Sequence, residues 1–151
     1  MLQAAGRQAL STIQVLDLCT SSDPDLQVGS YLPSMPRLTA LSVAACQCTT
    51  ISSLLHLVAN MPPSLTHLNA SDNNFGPSLV EITKKKEQLK ELNRLNIGYG
   101  EYNMRSRRVE FKQEEELEAI RQEMLDVNPD LRVYYKGEED LWDMYKEKFT
   151  K

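Results

Sequence analysis

One short phrase recurs along this chain and limits what it can fold into: apolar residues spaced L-x-x-L-x-L, with Cys or Asn a few positions on. It reads Leu38-Thr39-Ala40-Leu41-Ser42-Val43 followed by Cys46, then Leu65-Thr66-His67-Leu68-Asn69-Ala70 followed by Asn73. A third copy is Leu92-Asn93-Arg94-Leu95-Asn96-Ile97, and a degenerate earlier one is Ile13-Gln14-Val15-Leu16-Asp17-Leu18. The central leucines Leu16, Leu41, Leu68 and Leu95 are 25, 27 and 27 residues apart. A near-fixed period of this size is the mark of stacked repeats, each too small to bury an apolar face alone. Leu41 and Val43 alternate with Ala40 and Ser42, the period of a short strand with one apolar face. Where the strand ends, backbone groups need partners, and Cys46 and Asn73 stand where an inward side chain can supply them.

In these residues the chain resembles the leucine-rich repeat family, and a period of about 27 with helical segments between strands is most similar to its ribonuclease-inhibitor-like class. The resemblance spans roughly residues 10 to 135. It implies an α/β fold: a leucine-rich repeat solenoid of about four or five repeats, with a curved parallel sheet on the concave side and helices on the convex side. The expected organisation is a repeat domain over 1–135 and a C-terminal capping helix or tail over 136–151. An abrupt start near mid-repeat suggests a fragment of a longer array.

Helical spacing marks the connections. Ile51, Leu54, Leu55 and Val58 predict a helix within 49–61 that Pro62-Pro63 ends. Leu79, Ile82 and Leu89 predict one from Pro77 to Lys90. The strongest runs from Lys112 to Val127, with Glu114, Glu115 and Glu116 near its positive N-terminal end and Leu117, Ile120 and Leu125 as the buried stripe. Asn128-Pro129-Asp130 then stops it, and Leu131 to Val133 predicts a last edge strand. Residues 20–37 read as loop with a short helical turn. Beyond, Leu141, Trp142, Tyr145 and Phe149 share a helical face suited to covering the open end of the last repeat, or to anchoring a partner.

Charge is uneven. No Asp, Glu, Lys or Arg occurs from Leu38 to Ser71, while residues 101–151 hold 14 acids against 10 bases and residues 1–100 hold 7 of each. The net charge of −4 therefore comes from the C-terminal third and argues against nucleic acid as partner. Arg105, Arg107 and Arg108 with Lys84 to Lys86 are the sole basic runs and read as solvated faces. No 18-residue apolar run is present to span a membrane. Cys19, Cys46 and Cys48 are an odd, poorly spaced set. They read as a buried cap at Cys46 and two free thiols, which implies a reducing, cytoplasmic setting; a Cys46–Cys48 disulfide or metal pair is the alternative.

Catalytic chemistry finds no motif. His56 and His67 are far apart, no nucleophile-and-base order surrounds them, and Gly98 and Gly100 are too few for a phosphate cradle. The expectation is a non-enzymatic module with no metal, no cofactor and no small-molecule substrate. The resemblance implies a protein partner, bound on the concave sheet through Asp17, Ser42, His67, Asn69, Arg94, Asn96, Arg132 and Tyr134, with Asp72 beside them as a solvated neighbour of His67. One polar column is expected to run Asp17, Ser42, Asn69, Asn96, Arg132. From Leu95 to Leu131 the interval stretches to 36 residues, and the insertion 98–108 is expected as an irregular rim loop offering Tyr99 and Tyr102. A scaffold, adaptor or complex subunit fits this reading. A substrate-recognition or regulatory region of a larger enzyme, such as a ubiquitin-ligase subunit or a bacterial effector, is the alternative.

Overall fold

The computed structural model describes residues 9–112 and 114–134; the expected capping helix, with Trp142, lies outside the described residues. Among these, seven strands form: β1 Val15–Asp17, β2 Ala40–Ser42, β3 His67–Asn69, β4 Arg94–Asn96, β5 Tyr99–Asn103, β6 Arg108–Lys112 and β7 Arg132–Tyr134. The fold is α/β. Five strands make one sheet in the order β1-β2-β3-β4-β7, every neighbouring pair parallel, and β5 pairs with β6 in a separate ribbon.

The register repeats without slippage. Leu16, Leu41, Leu68 and Leu95 are direct partners across β1 to β4. The next partner of Leu95 is Val133, not Leu131. The last interval is thus 38 residues, and Arg132 stands beside Arg94 while Tyr134 stands beside Asn96. Leu131 lies two residues before Val133, one fewer than separate Leu92 from Leu95. The formal strands are short, yet the ladder runs on. Val43 and Ala45 donate their backbone N–H to Asn69 and Ser71 carbonyls at 2.8 and 2.9 Å, and Ala70 and Asp72 donate to Asn96 and Gly98, both at 2.7 Å. Thr20, Ala45 and Asp72, one per repeat, then turn the chain with φ of 64°, 52° and 58°.

Connections between strands carry the helices. A 3-10 helix spans Gln27–Ser34, an α-helix Ile51–Ala59, a 3-10 helix Gly76–Lys85 continued by an α turn Lys86–Leu89, and an α-helix Glu114–Leu125. They pack side by side in chain order, as the strands do. Gly29 permits the first contact: a Cβ there would meet Leu57 Cα at 3.1 Å. Pro33 inside the first segment and Gly76-Pro77 opening the third accompany the tighter 3-10 form, where regular α-helix is expected from Pro77 to Lys90.

A single apolar cluster lies between these helices and the leucine face of the sheet. Leu38, Leu41, Leu65, Leu68, Leu92 and Leu95 meet Leu32, Leu54, Leu57, Val58, Leu79 and Ile82 there, all at 1% exposure or less. Two stripe positions differ from expectation. Leu57 is fully buried and Leu55 only half, and Met124 is buried while Leu125 is 39% exposed. Seven positions after Leu117, Met124 returns to the same helical face, and Leu125 overshoots it by one residue step. At β1 the cluster thins, with Ile13, Leu16 and Leu18 only partly buried.

The expected rim loop at 98–108 is an antiparallel ribbon instead. Tyr99, Glu101 and Asn103 pair with Lys112, Glu110 and Arg108, and the exposed turn 104–107 joins the two strands. The strict alternation of Arg108-Val109-Glu110-Phe111-Lys112 is the strand signal that a loop reading passes over.

Candidate interaction surface

On the sheet face away from the leucines, the register lays out three columns. The first reads Val15, Ala40, His67, Arg94, Arg132; the second Asp17, Ser42, Asn69, Asn96, Tyr134. The third, two residues beyond the second in each repeat, reads Cys19, Ala44, Ser71, Gly98. Ala40 and Ala44 are buried but stand outside the apolar cluster, which separates this face from the core.

The second column does one job four times. Cys19 N–H donates to Asp17 Oδ1 at 2.9 Å, Ala44 N–H to Ser42 Oγ at 3.3 Å, Ser71 N–H to Asn69 Oδ1 at 3.0 Å, and Gly98 N–H to Asn96 Oδ1 at 3.2 Å. Ser71 Oγ adds a second hydrogen bond to Asn69 Oδ1 at 2.7 Å. A backbone turning out of a parallel ladder leaves alternate N–H groups unpaired, and a short side-chain oxygen two residues back reaches them. Asp, Ser and Asn are the residues whose side chains make this local bond.

That geometry corrects the expectation of an open polar row. Ser42, Asn69 and Asn96 are 1–2% exposed, and their oxygens already accept backbone hydrogen bonds. His67 is not on an exposed edge beside Asp72. It sits on the central strand β3 at 8% exposure, with Nδ1 2.7 Å from Thr66 Oγ1. Asp17 and Arg132 are exposed on the two edge strands, Arg94 is half-buried, and Asp72 is exposed at its left-handed turn. Arg132 belongs to the first column beside Arg94, and Tyr134 stands beside Asn96, in the place expected of Arg132. Tyr99 and Tyr102 lie on β5, paired with Lys112 and Val109.

Asn73 and Cys46 form the inner row. Asn73 Oδ1 accepts from Cys46 N–H and Cys48 N–H, each at 3.0 Å, and Nδ2 donates to Val43, Ala70 and Ser71 carbonyls at 2.9, 3.1 and 3.2 Å. One repeat earlier, the Cys46 thiol donates to the Leu18 carbonyl at 3.3 Å. Burial, reinforced by the neighbouring charges of Asp23, Cys19 and Cys48, pushes the Cys46 thiol up to about 11, and burial also raises Cys48. Both are therefore protonated and poor nucleophiles at neutral pH. Cys19, Cys46 and Cys48 form no disulfide, and the described residues hold no cluster of three His, Cys, Asp or Glu suited to a metal. Asn128, expected only to stop a helix, is buried and donates through Nδ2 to the Leu92 carbonyl at 2.6 Å, 36 residues back. Its position before Pro129 is the sole sequence cue, and it does not reveal that reach.

Lys84 pairs with Glu81, and Lys86 with Glu123 of the Glu114–Leu125 helix at 3.7 Å. No described helix is long and apolar enough to cross a membrane. Comparison with family models, curated proteins and solved structures finds no match to this chain.

Proposed function

We propose that this chain is a leucine-rich repeat module of the ribonuclease-inhibitor-like class, and that it binds a protein partner as a non-enzymatic scaffold, adaptor or complex subunit in a reducing, cytoplasmic setting. The observation that carries the reading is the unslipped register of five parallel strands, with one capping oxygen repeated at Asp17, Ser42, Asn69 and Asn96. Repeated units of this kind present one continuous surface, and a partner is recognised by whatever side chains vary along it. Here the varying column is Val15, Ala40, His67, Arg94, Arg132. The partner surface is its charged end, Arg94 and Arg132, with Asp72 and the ribbon β5–β6 beside β4. Ser42, Asn69 and Asn96 hold the strands and leave binding to these neighbours.

The test is quantitative capture of proteins from a native lysate by the full chain. Wild type is compared with Arg94→Glu plus Arg132→Glu, and with Ser52→Lys plus His56→Glu on the exposed side of the Ile51–Ala59 helix. Circular dichroism establishes that all three are folded. The expected result is a partner lost from the arginine variant and kept by the helix variant. A partner lost from the helix variant alone contradicts the reading.

A further inference from the structure

Four strands of the sheet make the same bond to the strand before them. Ala40 N–H donates to the Gln14 carbonyl, His67 N–H to Thr39, Arg94 N–H to Thr66 and Arg132 N–H to Asn93, all at 3.0–3.2 Å. Val15 is the fifth member of that column and stands on the first strand of the sheet. On β1, Gln14 accepts from β2, while Leu18 and Thr20 donate to the Ser42 and Ala44 carbonyls. Successive residues of a strand aim their backbone groups at opposite neighbours, so those of Val15 and Asp17 face away from β2. Among the described residues no strand pairs with that edge. A row of such donors and acceptors is a template for one more strand.

Two other rows stop at the same place. Leu41, Leu68 and Leu95 are fully buried, whereas Leu16 is only partly buried. Five residues after each central leucine, Asn73 reaches back to the Cys46 and Cys48 N–H, and Cys46 to the Leu18 carbonyl. Ser21 holds that position in the first repeat, and beside it a cavity of about 320 Å³ opens past the end of β1. Leu18, Val28 and Tyr31 give the cavity an apolar side, and Asp23 a polar one. Asp23 already accepts the Gln27 N–H at 2.9 Å at the start of its helix. The charge nearby has one sign. From residue 9 to residue 36 the chain carries Asp17, Asp23 and Asp25 and no Lys, Arg or His.

We propose that the open edge of β1 and the cavity beyond it dock an extended segment of a partner protein, added parallel to β1. Its backbone pairs with Val15 and Asp17, an apolar residue stands in register with Leu16, and a second apolar side chain enters the cavity. Basic residues then follow, beside Asp23 and Asp25. The direction comes from the cavity, which the residues after the paired stretch must enter, as Leu18 to Asp23 follow β1. A second copy brought to this edge by a two-fold axis perpendicular to the sheet would run antiparallel. Main-chain bonds give such strand addition its affinity, and the side-chain pockets its selectivity. The edge lies three strands from Arg94, so this docking and the proposed partner surface stand or fall separately.

The probe is a synthetic peptide with the sequence of residues 90–98, Lys90 to Gly98, and two lysines added at its C-terminus. Binding to the full chain is followed by amide hydrogen exchange and by NMR shifts. Exchange at Val15 and Asp17 is expected to slow severalfold, with shifts at Ser21 and Tyr31 and a weaker response at high salt. Val15→Pro removes only an N–H that faces away from β2, a change that edge strands tolerate. It is expected to weaken binding by about tenfold, the equivalent of one backbone hydrogen bond, while circular dichroism stays unchanged. Two altered peptides leave the protein untouched and carry the test should that variant unfold. Leu95→Asp in the peptide, or glutamates in place of its added lysines, should weaken binding at least as much. No slowing at Val15 and Asp17 with millimolar peptide overturns the proposal, as does equal binding by the altered peptides or by a folded Val15→Pro variant. Protection of Val15 and Asp17 before peptide is added also overturns it. If that protection grows with protein concentration the occupant is a second copy, and if it does not, the chain covers its own edge.

Discussion

Asn73 shows how much of this fold depends on single polar atoms. Five contacts converge on one carboxamide at 1% exposure: Oδ1 accepts two hydrogen bonds, and the two Nδ2 hydrogens are shared among three carbonyls. Leaving a buried donor or acceptor unsatisfied costs about 1–3 kcal/mol each, with partial relief from water. Asn73→Ala is therefore expected to cost at least about 3 kcal/mol in urea unfolding, near the top of the range for point substitutions. Cys46, at the equivalent position, is expected to accept Asn with a change below about 1 kcal/mol, because a carboxamide there meets the same kinds of backbone group. The Cys46 thiol also sets a pH dependence. Its folded value, about 11, lies above the ordinary thiol range, so the folded state holds its proton more tightly than the unfolded chain. That stabilisation is complete below the unfolded value and is lost as pH rises from there toward about 11. Unfolding measured from pH 7 to 11 should show wild type losing more stability across this window than Cys46→Ala.

At the scale of elements, position in the repeat decides what a residue does. Met124 and Leu125 are neighbours of similar size, one buried and one 39% exposed. Met124→Ala is expected to cost about 2–4 kcal/mol, and Leu125→Glu to stay within about 0.5 kcal/mol. Equal effects in thermal melts would contradict the described face of the helix. The strands, their parallel order and the capping at Cys46 and Asn73 follow from the L-x-x-L-x-L phrase, because its period and its polar terminus are both physical requirements. Side-chain direction beyond that was legible only where the period was unbroken. The last strand slipped by two residues because Leu131 imitates the central leucine, whereas pairing selects Val133. The ribbon β5–β6 was obscured by the glycines and arginines around it. From sequence Ser42, Asn69 and Asn96 offer their hydrogen bonds outward, since nothing in one sequence tells an oxygen that faces a partner from one that faces the backbone two residues on.

Across the whole molecule, the proposed function divides stability and recognition between different columns of one sheet face. The polar column is fixed by its backbone bonds, and the basic column beside it is the part free to vary between repeats. Surface ion pairs add little, since Lys84–Glu81, Lys90–Glu87 and Arg121–Glu118 are solvent-exposed contacts within single turns. Amide hydrogen exchange on the full chain, wild type against Asn69→Ala, tests this division most directly. The account predicts slow exchange at Ala44, Ser71 and Gly98 in wild type, and loss of protection at Ser71 in the variant by about tenfold, the equivalent of one hydrogen bond of about 1.4 kcal/mol. Fast exchange at Ser71 in wild type, unchanged by Asn69→Ala, would contradict it and return the polar column to the partner.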